Sequence, residues 1–489
     1  MNVLGLKSRS VIELARCALC VALLAKSTRV LTALLLMIVL QPLAARAGDD
    51  FMAGGLINDY VACKTWGSRW RTTNPLHVMR ENGFGWVATW VLTITNSYLA
   101  ATAPDQWQNL PWRDGYWSCL EYSTELLRNA RDAGLHLHVL LVMSDRPTWP
   151  CNQGIPPEWR GLSDADLAAA LEQYCARTAT HFADAGLNIG LYSLGNEIEF
   201  GILNTTPDQP SCVPPGIDLF TNLEFSRTNI WPREAFLLKA AIRGIKSVNP
   251  TARIALHPDS VGRSAGNQHL RAFVAFMVAQ GVEFDYASFT HPQPDAILVE
   301  GTRPYFESAQ FLDLVRYVAQ LGKKVLIGEV LYPHNSSRIL APPDPGYPYT
   351  PEGQARWIRH LLEVVSTNQA IGGVFYWYPD YFPGYSGGSG LTEDFTGLFQ
   401  DDSHAQPSMA EFRRLLPRLA IAFLRHDILV SWPFSAEGFV LESASSLNST
   451  LVQWQPASPP YLTNSKGFLV VAPLSADSMF YRLRKPIGP

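Results

Sequence analysis

From Phe51 onward the chain alternates short apolar runs with longer amphipathic stretches. That rhythm belongs to βα units, in which each buried strand is covered by a helix. Eight runs read as strands: 51–57, 86–92, 135–143, 187–194, 252–257, 284–289, 324–329 and 371–377. Helical periodicity separates several of them, as over 167–182 before the fourth and 234–247 before the fifth. Eight strands with crossover helices predict an α/β protein built on a closed (β/α)8 TIM barrel, whose chemistry belongs at the C-terminal strand ends. Long loops over 144–159, 202–231, 332–349 and 379–394, rich in Pro, Gly, Asp and Trp, gather on that face and suit a cleft. After Arg418 the pattern becomes strand-like at 428–432, 438–442, 450–454, 467–471 and 479–483, with no helix between. The predicted organisation is a barrel over 48–420 followed by a small all-β C-terminal module over 426–489.

Two of the eight runs stop at a glutamate. Leu194-Gly195-Asn196-Glu197-Ile198-Glu199 closes the fourth, and Ile327-Gly328-Glu329-Val330-Leu331-Tyr332-Pro333 closes the seventh. A carboxylate at the mouth of an apolar strand loses solvation unless partners or a pKa shift relieve it, so its presence there points to chemistry. A capping role for Glu197 at the next helix is the plain alternative. Two such acids suit glycoside hydrolysis: one carboxyl protonates the leaving oxygen while the other attacks the anomeric carbon, at a separation of about 5 to 5.5 Å. The donor, Glu197, then needs a raised pKa, which repulsion from an ionised Glu329 supplies. Asn196 offers an amide to the sugar 2-hydroxyl, or is simply a turn residue.

The chain of 489 residues has room for both parts, and 47% hydrophobic with 17% charged residues describes a globular protein. A formal net charge of −4 with scattered basic residues excludes a nucleic-acid partner. The 14 Trp, 18 Tyr and 23 Phe fit sugar C–H faces as well as cores. Lys7, Arg9, Arg16, Lys26 and Arg29, an apolar run over 30–40 and Ala45-Arg46-Ala47 read as a signal peptide over 1–47, cleaved after Ala47. Secretion to the periplasm, cell surface or medium follows. The run is too short to span a bilayer, so no stable membrane insertion is expected, although retention as an anchor is the alternative. Of 7 cysteines, Cys17 and Cys20 fall in the signal, leaving Cys63, Cys119, Cys151, Cys175 and Cys212. An odd number leaves at least one thiol unpaired, and no spacing forms a metal knuckle.

Gly195-Asn196-Glu197-Ile198-x-x-Gly201-Ile202-Leu203 resembles the acid/base motif of the arabinogalactan endo-β-1,4-galactanases of glycoside hydrolase family 53. Glu329-Val330-Leu331-Tyr332-Pro333 resembles that family's nucleophile motif. Further similar segments are Tyr347-Pro-x-Thr350-Pro351-Glu352-Gly353-Gln354, Gly373-Val-Phe-Tyr-Trp377-x-Pro379 and Gly397-Leu-Phe399 with Pro407-Ser408. The resemblance implies Glu197 as proton donor, Glu329 as nucleophile and Asn196 at the 2-hydroxyl. It implies Trp377 as the aromatic floor under the cleaved sugar, unless that ring plugs the barrel. Ser144-Asp145 with Trp149 resembles a Ser-Asp-x-Trp substrate loop displaced by two residues. His257, Asp259 and His291 end the fifth and sixth runs, where related enzymes set polar residues on substrate; a lone His is more often structural. Tyr332 either bonds Glu329 or packs beside Pro333.

There are departures. Ala88-Thr89-Trp90 stands where the family has Arg-x-Arg, Val142-Met143 where it has a His, Thr290-His291-Pro292 where it shows a Tyr pair, and Tyr378 where it often shows Glu. Trp90 should make the nucleophile side more apolar. The resemblance implies a retaining endo-glycosidase of β-linked galactan or a related plant polysaccharide, acting as a monomer without cofactor. β-Mannan or β-glucan specificity on the same frame, or a lapsed carbohydrate-binding barrel, are the rivals. Related enzymes sometimes hold calcium after the eighth strand, but Asp380, Glu393 and Asp394 read as solvated loop acids and no metal is expected.

Overall fold

Eight parallel strands pair in sequence order and close on themselves: β1 (Met52–Leu56), β2 (Trp86–Leu92), β3 (His136–Val142), β4 (Ile189–Leu194), β5 (Arg253–Leu256), β6 (Tyr286–Thr290), β7 (Lys324–Val330) and β8 (Ile371–Trp377). β8 pairs back onto β1 through Met52 opposite Gly373 and Leu56 opposite Trp377. The strands are near-continuous apolar runs because a barrel strand is buried on both faces, by side chains within and helices without. This computed structural model describes residues 51–57, 74–92, 120–144, 153–204, 216–259, 261–262, 264–291, 304–335, 342–381, 395–400, 404–415, 419–424, 427–433, 439–446, 453–457, 461–464, 467–473 and 479–484. The proposed signal peptide and Cys63, Cys119, Cys151 and Cys212 lie outside them.

Among the described residues the α-helices longer than one turn are α1 (Pro75–Glu81), α2 (Leu120–Asp132), α3 (Asp164–Asp184), α4 (Trp231–Val248), α5 (Gln268–Ala279), α6 (Ala309–Gln320) and α7 (Pro351–Thr367). Capping chemistry sets several starts. Asn74, Ser163, Ser308 and Thr350 each accept a backbone N–H from the first turn, and Pro75 and Pro351 occupy first-turn positions where no amide donor is needed. Among the described residues no helix is long and apolar enough to cross a membrane.

α3 and α4 approach closely at Gly244, where an added Cβ would sit 2.2 Å from the Glu172 carbonyl oxygen and 2.9 Å from Cys175 Cβ. Gly244→Ala should therefore destabilise the protein by about 1–3 kcal/mol: the gain in helix propensity, about 1 kcal/mol, is smaller than the cost of parting two backbones. A lower urea midpoint at unchanged slope checks this. Cys175 is the free, buried thiol in that contact, and burial pushes its pKa up.

The base of the barrel is plugged by side chains. Arg253 lies 5.2 Å from the Trp86 ring centroid, and its Nη1 donates to Tyr286 Oη at 3.0 Å. Above them His138 and Ser193 bond at 2.8 Å and Phe375 packs edge-on to His138. A filled barrel leaves chemistry to its upper rim.

Among the described residues seven further strands follow. β9 (Ala420–Leu424), β10 (Asp427–Pro433), β13 (Leu462–Asn464) and β14 (Gly467–Pro473) form a sheet in the order β13-β14-β10-β9, and β11 (Val440–Ala444), β12 (Gln455–Pro456) and β15 (Phe480–Arg484) form a second in the order β12-β11-β15. Ile428, Val430, Trp432 and Leu441 make a core shared by both sheets and separate from that of the barrel. β9 had no counterpart in the sequence reading, and 453–454 are not strand; pairing begins at Gln455.

Candidate active site

The turn after β4 is tied to both neighbouring strands. Gly195 N donates to Leu141 O at 2.9 Å and Ile198 N to His257 O at 3.1 Å. Gly195 has φ +72°, and a Cβ there would stand 2.0 Å from Ile198 Cγ2, so only glycine fits. Glu197 is left-handed as well, with φ 51° and ψ 57°. A non-glycine residue held there costs on the order of 1–3 kcal/mol, and such strain collects at functional sites. The capping alternative fails: Glu197 precedes only a three-residue 3-10 turn, Ile198–Phe200, and makes no side-chain cap. Gln153, a buried side chain that the sequence reading did not single out, donates from Nε2 to the Asn196 carbonyl and braces the turn from below. Glu197 is half-buried and Asn196 buried.

Glu329 is presented by a bulge. Phe289 pairs with Ile327 but Thr290 with Glu329, so β7 carries one residue more than β6 at Gly328. A Cβ at Gly328 would lie 2.1 Å from Ser288 Oγ, which is why glycine interrupts this strand. The Glu329 side chain is 9% exposed and its Oε1 accepts no hydrogen bond. Burial, and then the Asp259 carboxylate near it, push Glu329 up to about 8. The sequence reading expected an ionised Glu329; in the folded protein burial and the neighbouring Asp259 carboxylate raise this carboxyl instead.

Glu199 is fully buried two residues beyond Glu197. Its Oε2 accepts the Asp259 N–H at 2.7 Å, its carbonyl accepts Trp231 Nε1 at 2.8 Å, and its Oε1 lies 4.0 Å from His269 Nε2. Burial, then Asp259, hold its carboxyl well above the usual range, with Glu197 adding to the effect. Glu199 thus acts on Glu197 and Asp259, and Asp259 on Glu329, across the ends of β4, β5 and β7. Glu199 stood in the sequence motif only as half of an acidic pair, and His269 gave no signal at all, being one histidine in an amphipathic helix.

The other candidates divide. Asp259 and His257 have no exposed surface, so they back the cleft rather than face it; His257 Nε2 pairs with Thr290 Oγ1 at 3.1 Å, and burial lowers the imidazole to about 4, leaving it neutral. His291 donates its backbone N–H to Glu329 O at 2.7 Å and its ring packs 5.6 Å from Trp357, a wall position. Tyr332 corrects one alternative. Its hydroxyl donates to Tyr347 O at 2.5 Å and accepts from Asp344 N at 3.2 Å, and its ring stacks on Trp357 at 4.6 Å, so it anchors the loop after β7 instead of bonding Glu329. Gln354, completely buried, fixes that anchor by donating to Tyr332 O at 2.7 Å and Thr396 O at 3.0 Å. Trp377 ends β8 half-buried and stacks on Tyr378 at 4.6 Å, while its indole N–H makes no hydrogen bond. Trp90 is buried on β2, four positions from the Trp86 that fills the barrel base and hence on the same face, and its Nε1 also makes no hydrogen bond. Asp145 and Trp149 lie outside the described residues, as do Glu393 and Asp394. Asp380 is buried, not solvated as its loop setting suggested.

The model of glycosyl hydrolase family 53 matches residues 73–412. An arabinogalactan endo-β-1,4-galactanase of Humicola insolens is 28% identical over 320 residues, covering 63% of this chain and 86% of that one. An endo-β-1,4-galactanase of Bacillus subtilis is 24% identical over 279 residues, covering 54% and 56% respectively. Among solved structures, a fungal β-1,4-galactanase superposes with a TM-score of 0.55 at 26% identity, covering 74% of this chain and 99% of that chain. The catalytic domain from Ignisphaera aggregans gives 0.57 at 22% identity over 77% and 99%, a likeness of fold.

Proposed function

Because this chain belongs to glycosyl hydrolase family 53, and is thereby a glycoside hydrolase, we propose that it cleaves β-1,4-linked galactan by a retaining, two-glutamate double displacement. The observation that carries the mechanism is the pair of strand-end glutamates. One stands on a strained turn that only glycine and a left-handed residue can make, and the other on a bulge that turns it out of the β7 ladder. Glu197 delivers a proton to the glycosidic oxygen as the bond to C1 breaks, and the Glu329 carboxylate closes on C1 from the opposite face. Glu197, now ionised, then takes a proton from water as that water displaces Glu329. Asn196 binds the 2-hydroxyl, where a hydrogen bond strengthens as positive charge grows on the ring. Trp377 supplies the apolar face under the sugar.

The names of the relatives in hand favour galactan. The first 47 residues serve export, the C-terminal sheets form a module apart from catalysis, and the enzyme acts as a monomer on its polysaccharide. A panel of galactan, arabinogalactan, mannan and β-glucan, with the anomer of the first product followed by NMR, tests the substrate and the mechanism together. The expected result is soluble galacto-oligosaccharides released from galactan as the β-anomer. Preferential release from mannan or glucan would move the specificity, an α-anomer would replace the mechanism, and binding without hydrolysis would mean a lapsed barrel. Deletion beyond Arg425 should leave hydrolysis of soluble oligosaccharide unchanged, and a deleted chain that no longer folds would make the module part of the barrel.

A further inference from the structure

Glu199, Asp259 and His269 each bring one ligand atom within 4.8 Å of the others, and all three side chains are buried. They come from three separate places, the turn after β4, the end of β5 and the first turn of α5. Two carboxyls and an imidazole are gathered where water does not reach, a setting in which a bound cation would neutralise the pair of carboxyls. Two further observations point to a ligand rather than to a chance cluster. Glu199 Oε1 is buried, accepts no hydrogen bond and faces His269 Nε2 at 4.0 Å, while its sister oxygen is already oriented by the Asp259 N–H at 2.7 Å. His269 Nδ1 lies 2.6 Å from Ser264 Oγ, so when Nδ1–H donates to the hydroxyl, Nε2 turns a lone pair toward Glu199 Oε1. A ligating histidine is held in this way, its second nitrogen engaged by an outer partner.

From this arrangement we propose that Glu199, Asp259 and His269 form a binding site for a divalent first-row cation such as Zn²⁺, which ties the turn bearing Glu197 to β5 and α5. The donor set of two oxygens and one nitrogen fits such an ion. Ligands at about 2.0–2.1 Å from a tetrahedral zinc stand about 3.4 Å apart, so the present spacing closes by roughly 1 Å of side-chain rotation. Phe200 lies parallel to the His269 ring at 6.4 Å and Phe220 meets it edge-on at 5.1 Å, giving the site an apolar lid that excludes competing water. The ion would sit behind the cleft and touch no sugar. Its role is to position Glu197 through Glu199, two residues away. The site stands or falls independently of which polysaccharide is cut.

The test is metal content. Full-length protein is stripped with a chelator under mildly destabilising conditions, returned to buffer with Zn²⁺, Mn²⁺ or Ca²⁺, dialysed and assayed by elemental analysis, with thermal midpoints alongside. One equivalent of zinc is expected on the wild type, with a raised midpoint. Glu199→Gln and His269→Gln should retain under a tenth of that and show no zinc-dependent rise. Ser264→Ala keeps all three ligands, so it should fold and bind zinc about 10–100-fold more weakly. Anomalous scattering at the zinc edge should place the ion among the three side chains. Less than a tenth of an equivalent on the wild type, equal retention by the ligand variants, or an anomalous peak elsewhere overturns the proposal.

Discussion

Glu197→Gln should lower kcat about 10²–10⁴-fold, the usual loss on removing a general acid, and Glu329→Gln should lower it at least as far, because no covalent intermediate then forms. KM for a galacto-oligosaccharide should change by no more than a few-fold in either variant, since both groups act chiefly on the transition state. Azide separates the two roles. In Glu197→Ala the glycosyl-enzyme on Glu329 still forms from a substrate with a good leaving group, and azide attacking it displaces Glu329 and yields the β-glycosyl azide. In Glu329→Ala the small anion enters from the vacated face and yields the α-azide. Kinetics equal to wild type for either Gln variant would remove that residue from the mechanism, and the same azide anomer from both Ala variants would undo the division of roles.

The barrel was legible because eight buried strands leave an apolar run that no other element imitates. β2 and β8 coincide with the runs 86–92 and 371–377. Elsewhere the ends differ by one or two residues, as for β4 and β5, where the first apolar residue of the run, Leu187 or Ala252, still belongs to the preceding turn. The two glutamates were legible for the same reason: a charge ending an apolar run is out of place. Their environment was not. That Asp259 and Glu199 meet depends on β4 and β5 lying side by side, and that Glu329 is the buried partner depends on a bulge whose sole trace is Gly328. Tyr332 was ambiguous because a tyrosine beside a strand end can aim its hydroxyl at the cleft or at a loop, and the choice was made by Tyr347 and Asp344, more than ten residues away. Gln153 and His269 had no period, spacing or charge partner along the chain to mark them.

Activity should rise with pH to about 8 in chelator-treated enzyme, with kcat/KM falling about tenfold per unit below that point. Glu329 attacks only when ionised, and burial together with Asp259 pushes it up to about 8. His257, which is neutral, adds no compensating cation. The sign for stability is opposite. A carboxyl raised on folding holds its proton more tightly in the native state than in the unfolded chain. Its contribution to stability is therefore complete below its ordinary value of 4.5, declines as pH rises, and is gone above about 8. The share of urea resistance that Glu329 contributes should therefore be largest in acid, where the nucleophile is least active. Trp90 bears on this limb, since it stands in β2 where the resemblance places arginine and brings an uncharged N–H in its stead. A guanidinium near a carboxylate lowers its pKa by about 1–3 units, so Trp90→Arg should move the acidic limb down by at least one unit and raise activity on unsubstituted galactan near neutrality. Should the limb stay at 8 in a variant that folds as wild type does, Trp90 does not face Glu329; should it lie near 4.5 already in the wild type, burial is not what governs the nucleophile.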